Sequence, residues 1–131
     1  MINIKTLDQE LTDKLHDLSK LELKYDTYLA LPSDKASYPF VHIGGTQLVP
    51  KQTSSKVLGK LHITVYVWGA RNQRRQISLM AETIRVNARQ IKLGTRDLKQ
   101  VVNASGPRIR EDNSTGSTLY QAILDLEYNI L

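Results

Sequence analysis

The sequence has no cysteine. This excludes a disulfide scaffold, a thiol nucleophile and cysteine-ligated zinc, and it fits synthesis inside a cell. No apolar run approaches the ~20 residues needed to cross a bilayer. The leading segment, MINIKTLDQEL, has no apolar core of signal-peptide length. The expectation is a soluble chain made in the cytoplasm, with no classical export and no membrane partner. Catalytic signatures are missing as well. There is no G-x-S-x-G elbow, and Ser54, Ser55, Ser114 and Ser117 fall in polar loops, which hold a reactive geometry poorly. His16, His42 and His62 show none of the HxH, HxxxH or HExxH spacings that aim two imidazoles at one metal. A shared site for His42 and His62 requires their strands to pair, and ordinary sheet-surface histidines are the better account. The pairs Glu111/Asp112 and Asp125/Glu127 lack the context of a metal loop. No helix follows Gly44-Gly45, so it is not a phosphate loop. No enzyme, metal or cofactor is expected.

What is present is a chain of 131 residues, the length of one domain, expected to span residues 1–131. Such a domain buries roughly two thirds of its unfolded surface and needs no staple. The net charge of +5 is uneven. Residues 1–34 carry four Lys/Arg against seven Asp/Glu, or −3, and residues 35–131 carry fourteen against six, or +8. A basic body behind an acidic lead suits polyanions or acidic protein surfaces, and it also suits solubility alone.

Thr6 and Gln9 form a capping box, and Leu7, Leu11, Leu15 and Leu18 follow at helical spacing, which predicts a helix ending near Lys20 to Leu23. Tyr25 to Leu31 is a candidate strand, and Tyr38 to Gly44 another, with a bulge or close backbone approach at Gly44-Gly45. Val49 to Lys56 reads as a polar loop. From Leu58 to Trp68 the chain alternates, with Leu61, Ile63, Val65 and Val67 on one face and His62, Thr64, Tyr66 and Trp68 on the other. Both faces hold sizeable side chains, so the second is expected to be partly covered by a helix or a neighbouring subunit. Ile77, Met80, Ala81, Ile84, Ala88 and Ile91 mark a helix over residues 72–90, closed by Gly94. A short strand over 98–104, a loop over 105–117 and an alternating strand over 119–130 complete the chain. The order predicts an α+β fold: a mostly antiparallel sheet of about four to five strands with two helices packed on one side. There is no internal repeat or low-complexity segment.

Two features remain as candidate contacts. Arg71, Arg74 and Arg75 precede the second helix, with Arg85 and Arg89 beyond, and arginine's planar fork suits phosphate and carboxylate alike. The cluster reads as a contact to nucleic acid or an acidic partner, or as a solvated helix face. Tyr66 and Trp68 do not form an RRM-like stacking motif, and no helix-turn-helix signature is present. The loop with Lys51, Gln52 and Lys56 exceeds a tight hairpin, so it is a candidate binding arm or a plain hairpin tip.

Leu31-Pro32 followed by Tyr38-Pro39-Phe40-Val41-His42-Ile43-Gly44 is similar to the "LP…YPFVVIG" segment of the tail completion proteins of long-tailed phages. These are also called tail terminators or tail-to-head joining proteins. The resemblance continues through Val65-Tyr66-Val67-Trp68, the helix from Arg74 to Arg89 and, more weakly, Tyr120 to Tyr128. It implies a non-enzymatic virion subunit forming a ring, hexameric in the well-known members. That ring caps the tail tube, ends its polymerisation and docks on the head connector, and genomic DNA passes through its channel without sequence-specific binding. Head completion proteins at the same joint have similar size and composition. The contacts expected to serve assembly are Lys51, Gln52, Lys56, His62, Thr64, Tyr66, Trp68, Arg71, Arg74 and Arg75.

Overall fold

A computed structural model describes residues 6–33, 36–50, 59–94, 96–101, 106–114 and 116–131. The expected capping signal starts helix α1, Leu7–Asp17, where the Thr6 hydroxyl accepts from the Gln9 amide at 3.4 Å. The reciprocal half of the box is absent, because the Gln9 side chain donates to Asp13 Oδ1 at 2.9 Å instead. The helix runs on as a π-helical turn over Leu18–Glu22, and Lys24 at φ +60° turns the chain out of it. Leu11, Leu15 and Leu18 are buried, as their spacing predicts.

Six strands form one sheet: β1 Thr27–Tyr28, β2 Phe40–Pro50, β3 Gly59–Ala70, β4 Leu98–Gln100, β5 Arg108–Asp112 and β6 Leu119–Ile130. The order is β1-β2-β3-β6-β4, and β5 also pairs with β6. The fold is α+β, but the sheet is mixed, because β1 runs parallel to β2 while every other pairing is antiparallel. β1 is also shorter than the expected Tyr25 to Leu31 strand, pairing only Thr27 with Val41 and Tyr28 with His42.

β2 does not stop at its double glycine. Between the pairs Ile43–Val65 and Thr46–Ile63 it spends one residue more than β3, which is a β-bulge. A Cβ on Gly44 would lie 2.7 Å from Tyr66 Cε2, so this position needs glycine for the ring to approach. The strand then takes Val49 and Pro50 from the expected loop, while Lys51, Gln52 and Lys56 lie outside the described residues.

A second correction falls in the expected 105–117 loop, which contains β5. Its only apolar residue, Ile109, points to the core side between the exposed Arg108 and Arg110. A short, charged edge strand has too little apolar alternation to be read from sequence.

Helix α2, Arg74–Asn87, continues as a 3-10 turn over Ala88–Gln90. It shares one face of the sheet with α1. The core joins Leu11 and Leu15 of α1 and Ile77, Ala81 and Ile84 of α2 to alternate residues of β2, β3 and β6. Tyr128 anchors this layer: it is fully buried, and its hydroxyl donates to the Ala88 carbonyl at 2.8 Å. No described helix is long and apolar enough to cross a membrane.

Gly69 sets how closely α2 approaches β3, since a Cβ there would lie 2.6 Å from Ile77 Cγ2 and 3.3 Å from Gln73 Cβ. Ile77 is fully buried and cannot move aside freely. Gly69→Ala is therefore expected to lower stability by about 1–3 kcal/mol through overpacking. Urea unfolding followed by circular dichroism reads this as a lower midpoint with an unchanged slope.

Candidate functional site

Both helices lie on one face of the sheet, so the other face is open among the described residues. His62, Thr64, Tyr66 and Trp68 alternate with the buried Leu61, Ile63, Val65 and Val67, and each remains partly exposed. The expectation that a helix or neighbour partly covers this face is not met by any described helix of the chain itself. Register adds residues that sequence spacing did not reveal. His42 stands beside Tyr66, Ile123 beside Tyr66 on its other flank, and Asp125 beside Thr64. Arg108 pairs with Ile123 and Arg110 with Gln121, so β5 sets two exposed arginines along the same surface.

The result is a shallow groove of about 470 Å³ with His42, Tyr66, Trp68 and Ile123 on its floor and Arg108 and Arg110 along its side. It shares Thr64, Arg108, Ile123 and Asp125 with a second depression of about 320 Å³ that reaches His62 and Glu127. The His42 and Tyr66 rings stack with centroids 5.6 Å apart and planes 22° apart. Thr64 Oγ1 donates to Asp125 Oδ1 at 3.0 Å. Glu127 lies 3.4 Å from Lys60 Nζ and 3.6 Å from His62 Nε2. At the other end of the groove Phe40 is buried beneath Tyr28 and Tyr38, with ring centroids at 5.6 and 5.3 Å. The Trp68 indole Nε1 beside them is buried and has no hydrogen-bond partner among the described residues. On β6, Asp125 is exposed along this face, yet Gln121 is buried, because Trp68 and Arg110 flank it on both sides.

Burial holds His42 below its ordinary value of 6.5. The folded chain thus prefers neutral His42, and the unfolded chain takes up the extra proton. This part of the stability is complete above pH 6.5 and declines as pH falls through 6.5 towards the folded value. His42→Phe is expected to flatten the fall in thermal midpoint between neutral and mildly acidic pH, relative to the parent chain.

The basic turn lies elsewhere. Arg71, Arg74 and Arg75 are exposed at the end of β3, and Arg74 sits 5.9 Å from the centroid of Tyr120, a ring packed against the helix-side core. The expected contacts therefore divide: His62, Thr64, Tyr66 and Trp68 share the open face, while the three arginines belong to the helix side. Arg85 pairs with Glu82, and Arg89 Nε donates to Gln100 Oε1 at 3.2 Å, so both serve the fold. His42 and His62 do not share a site, since Tyr66 stands opposite the first and Gln47 opposite the second. No group of three His, Cys, Asp or Glu residues that could hold a metal occurs among the described residues.

No known family's sequence profile matches the chain, and no curated protein matches it in sequence. Solved structures do match. A chain in the virion of the native gene transfer agent (GTA) particle superposes with a TM-score of 0.62 at 11% identity, covering 95% of this chain and 93% of that one. The chain is thus similar in fold to that virion component over almost its whole length. The bacteriophage SPP1 gp17 protein aligns at 21% identity over 94% of this chain and 87% of its own, with a TM-score of 0.47, which adds nothing to the fold assignment.

Proposed function

We propose that the chain is a structural virion protein: a ring-forming subunit that caps the phage tail tube, ends its polymerisation and joins the tail to the head connector. The observation that carries this reading is the open sheet face. A small domain that covers one face of its sheet with two helices leaves Tyr66, Trp68, Ile123 and His42 half in water on the other, flanked by Arg108 and Arg110. Tyrosine, tryptophan and arginine are the residues on which protein contacts concentrate their energy. The fold shared with a virion component agrees with this use. Contacts between copies are head-to-tail and close by rotation, the hexamer being the expected count. The other partners are the tail tube protein, the connector proteins and the DNA passing through the channel. The work is done by surfaces, with no catalytic step. A place on the head side of the joint, as a head completion protein, uses the same surface.

To test this, the chain is added to tail tube protein as it polymerises, and tube length is followed by light scattering. Growth that stops at a length set by the ratio of the two proteins supports the reading. Growth that continues unchanged at excess chain contradicts it.

A second reading, a small basic nucleic-acid-binding module, is favoured by the +8 charge of residues 35–131 and by the exposed Arg71 and Arg75. It requires binding that stays tight at physiological salt and weakens log-linearly as salt rises. The open face argues against it, because Asp125 and Glu127 stand among its cations.

A further inference from the structure

Outside the groove, one edge of the sheet has little cover among the described residues. Exposed edge strands are usually short, charged or covered, because their free amides and carbonyls template pairing with another chain. The β4 and β5 edge follows that rule. Its strands have three and five residues and carry Lys99, Arg108, Arg110, Glu111 and Asp112. β2 does not. Its eleven residues, FVHIGGTQLVP, contain no Asp, Glu, Lys or Arg. β1 covers it only at Val41 and His42. Beyond the Gly44-Gly45 bulge, no described strand pairs with the outer edge of Thr46 to Val49. Leu48 and Val49 there are 46% and 41% exposed. The bulge at one end and Pro50 at the other limit the free stretch to about one hairpin's worth of pairing.

We infer that this edge pairs with the same edge of a second copy, antiparallel across a two-fold axis normal to the sheet. The occupant must be extended, must offer free amides and must bring no charge against Leu48 and Val49. The charged β4 and β5 edge fails the last condition, and β2 of another copy meets all three. A two-fold of this kind keeps both helix layers on the same side. It opposes side chains of like face: Thr46 and Leu48 lie on the helix side and face helix-side residues of the second copy, while Gln47 and Val49 face open-side ones. The contact is isologous, so each residue acts twice. It is separate from the head-to-tail ring proposed above and does not rest on that reading.

Sedimentation velocity on the purified full chain, with no tube or connector present, tests the pairing. The parent chain is expected to sediment as a concentration-dependent dimer. Leu48→Lys and Val49→Lys each bring two ammonium groups into the paired edge and are expected to weaken dimerisation at least about tenfold. Both side chains are exposed, so the far-ultraviolet circular dichroism should not change. In hydrogen exchange, the amides of residues 46–49 should gain protection as concentration rises. A parent chain that stays monomeric up to ~1 mM overturns the inference, as does a lysine variant that dimerises as well as the parent. A parent species larger than a dimer, lost in the same variants, also overturns it, because it would show the edge joining copies by another symmetry. None of these outcomes bears on tube capping.

Discussion

Tyr128→Ala is expected to lower folding stability by about 3–5 kcal/mol and the thermal midpoint by about 10 °C or more. The side chain has no exposed surface and stands on the core face of β6, where the 3-10 turn after α2 closes over it. Removing a large buried ring costs about 3–5 kcal/mol through lost transfer energy and the cavity left behind. Domains of this size have only about 5–15 kcal/mol in total. Tyr128→Phe separates the hydroxyl from the ring. It removes the 2.8 Å bond to the Ala88 carbonyl, which keeps a longer 3.4 Å bond from the Ile91 amide. The cost is then near the low end of the ~1–3 kcal/mol for a buried acceptor that loses its donor. Calorimetry that finds the alanine variant within about 1 kcal/mol of the parent would refute this account of the core. Burial also pushes the Tyr128 phenol well above its ordinary value of 10.0, so it stays neutral and adds no pH dependence in the physiological range.

The second large effect is on assembly. Trp68→Ala removes the largest side chain of the open face, at the end of the groove where it adjoins Phe40. Central aromatic anchors of interfaces cost about 2 kcal/mol or more when truncated, roughly 30-fold in affinity at each contact. A ring repeats the loss at every junction, so closure should fail at concentrations where the parent assembles. The variant also loses packing around Phe40, so stability must be separated from assembly. Gly69→Ala provides that control, because its strain lies on the helix side and leaves the open face intact. If Gly69→Ala assembles and Trp68→Ala, held well below its own melting point, does not, the open face is the contact. Equal loss in both would assign the effect to stability.

Much of this architecture was legible from residue spacing, and the gaps have physical causes. α1, α2, β3 and β6 each place four or more apolar residues at a helical or strand period, which only a buried face produces. β1 was placed but drawn too long, since only Thr27 and Tyr28 of the expected Tyr25 to Leu31 strand pair. β5 offered no such pattern, because it holds one isoleucine among charges. Gly44 and Gly45 do form the expected bulge, beneath the Tyr66 ring, but the run of β2 beyond them to Pro50 was not legible, because Thr46 to Pro50 lack a clear apolar alternation. The candidate site was half legible. Alternation found His62, Thr64, Tyr66 and Trp68. Strand register alone brings His42, Ile123 and Arg108 beside them, while Arg74 and Arg75 fall on the helix that packs on the other face. Lys51, Gln52 and Lys56 lie outside the described residues, so their proposed part in assembly stands on sequence alone.

The central claim is that the open sheet face builds a ring on the end of a tail tube. Negative-stain imaging of purified tail tubes mixed with the chain tests it most directly, with Trp68→Ala and Gly69→Ala run beside the parent. The account predicts a closed ring at one end of each tube with the parent and with Gly69→Ala, and bare ends with Trp68→Ala. Bare ends with the parent at excess, or rings that form equally well without Trp68, would contradict it.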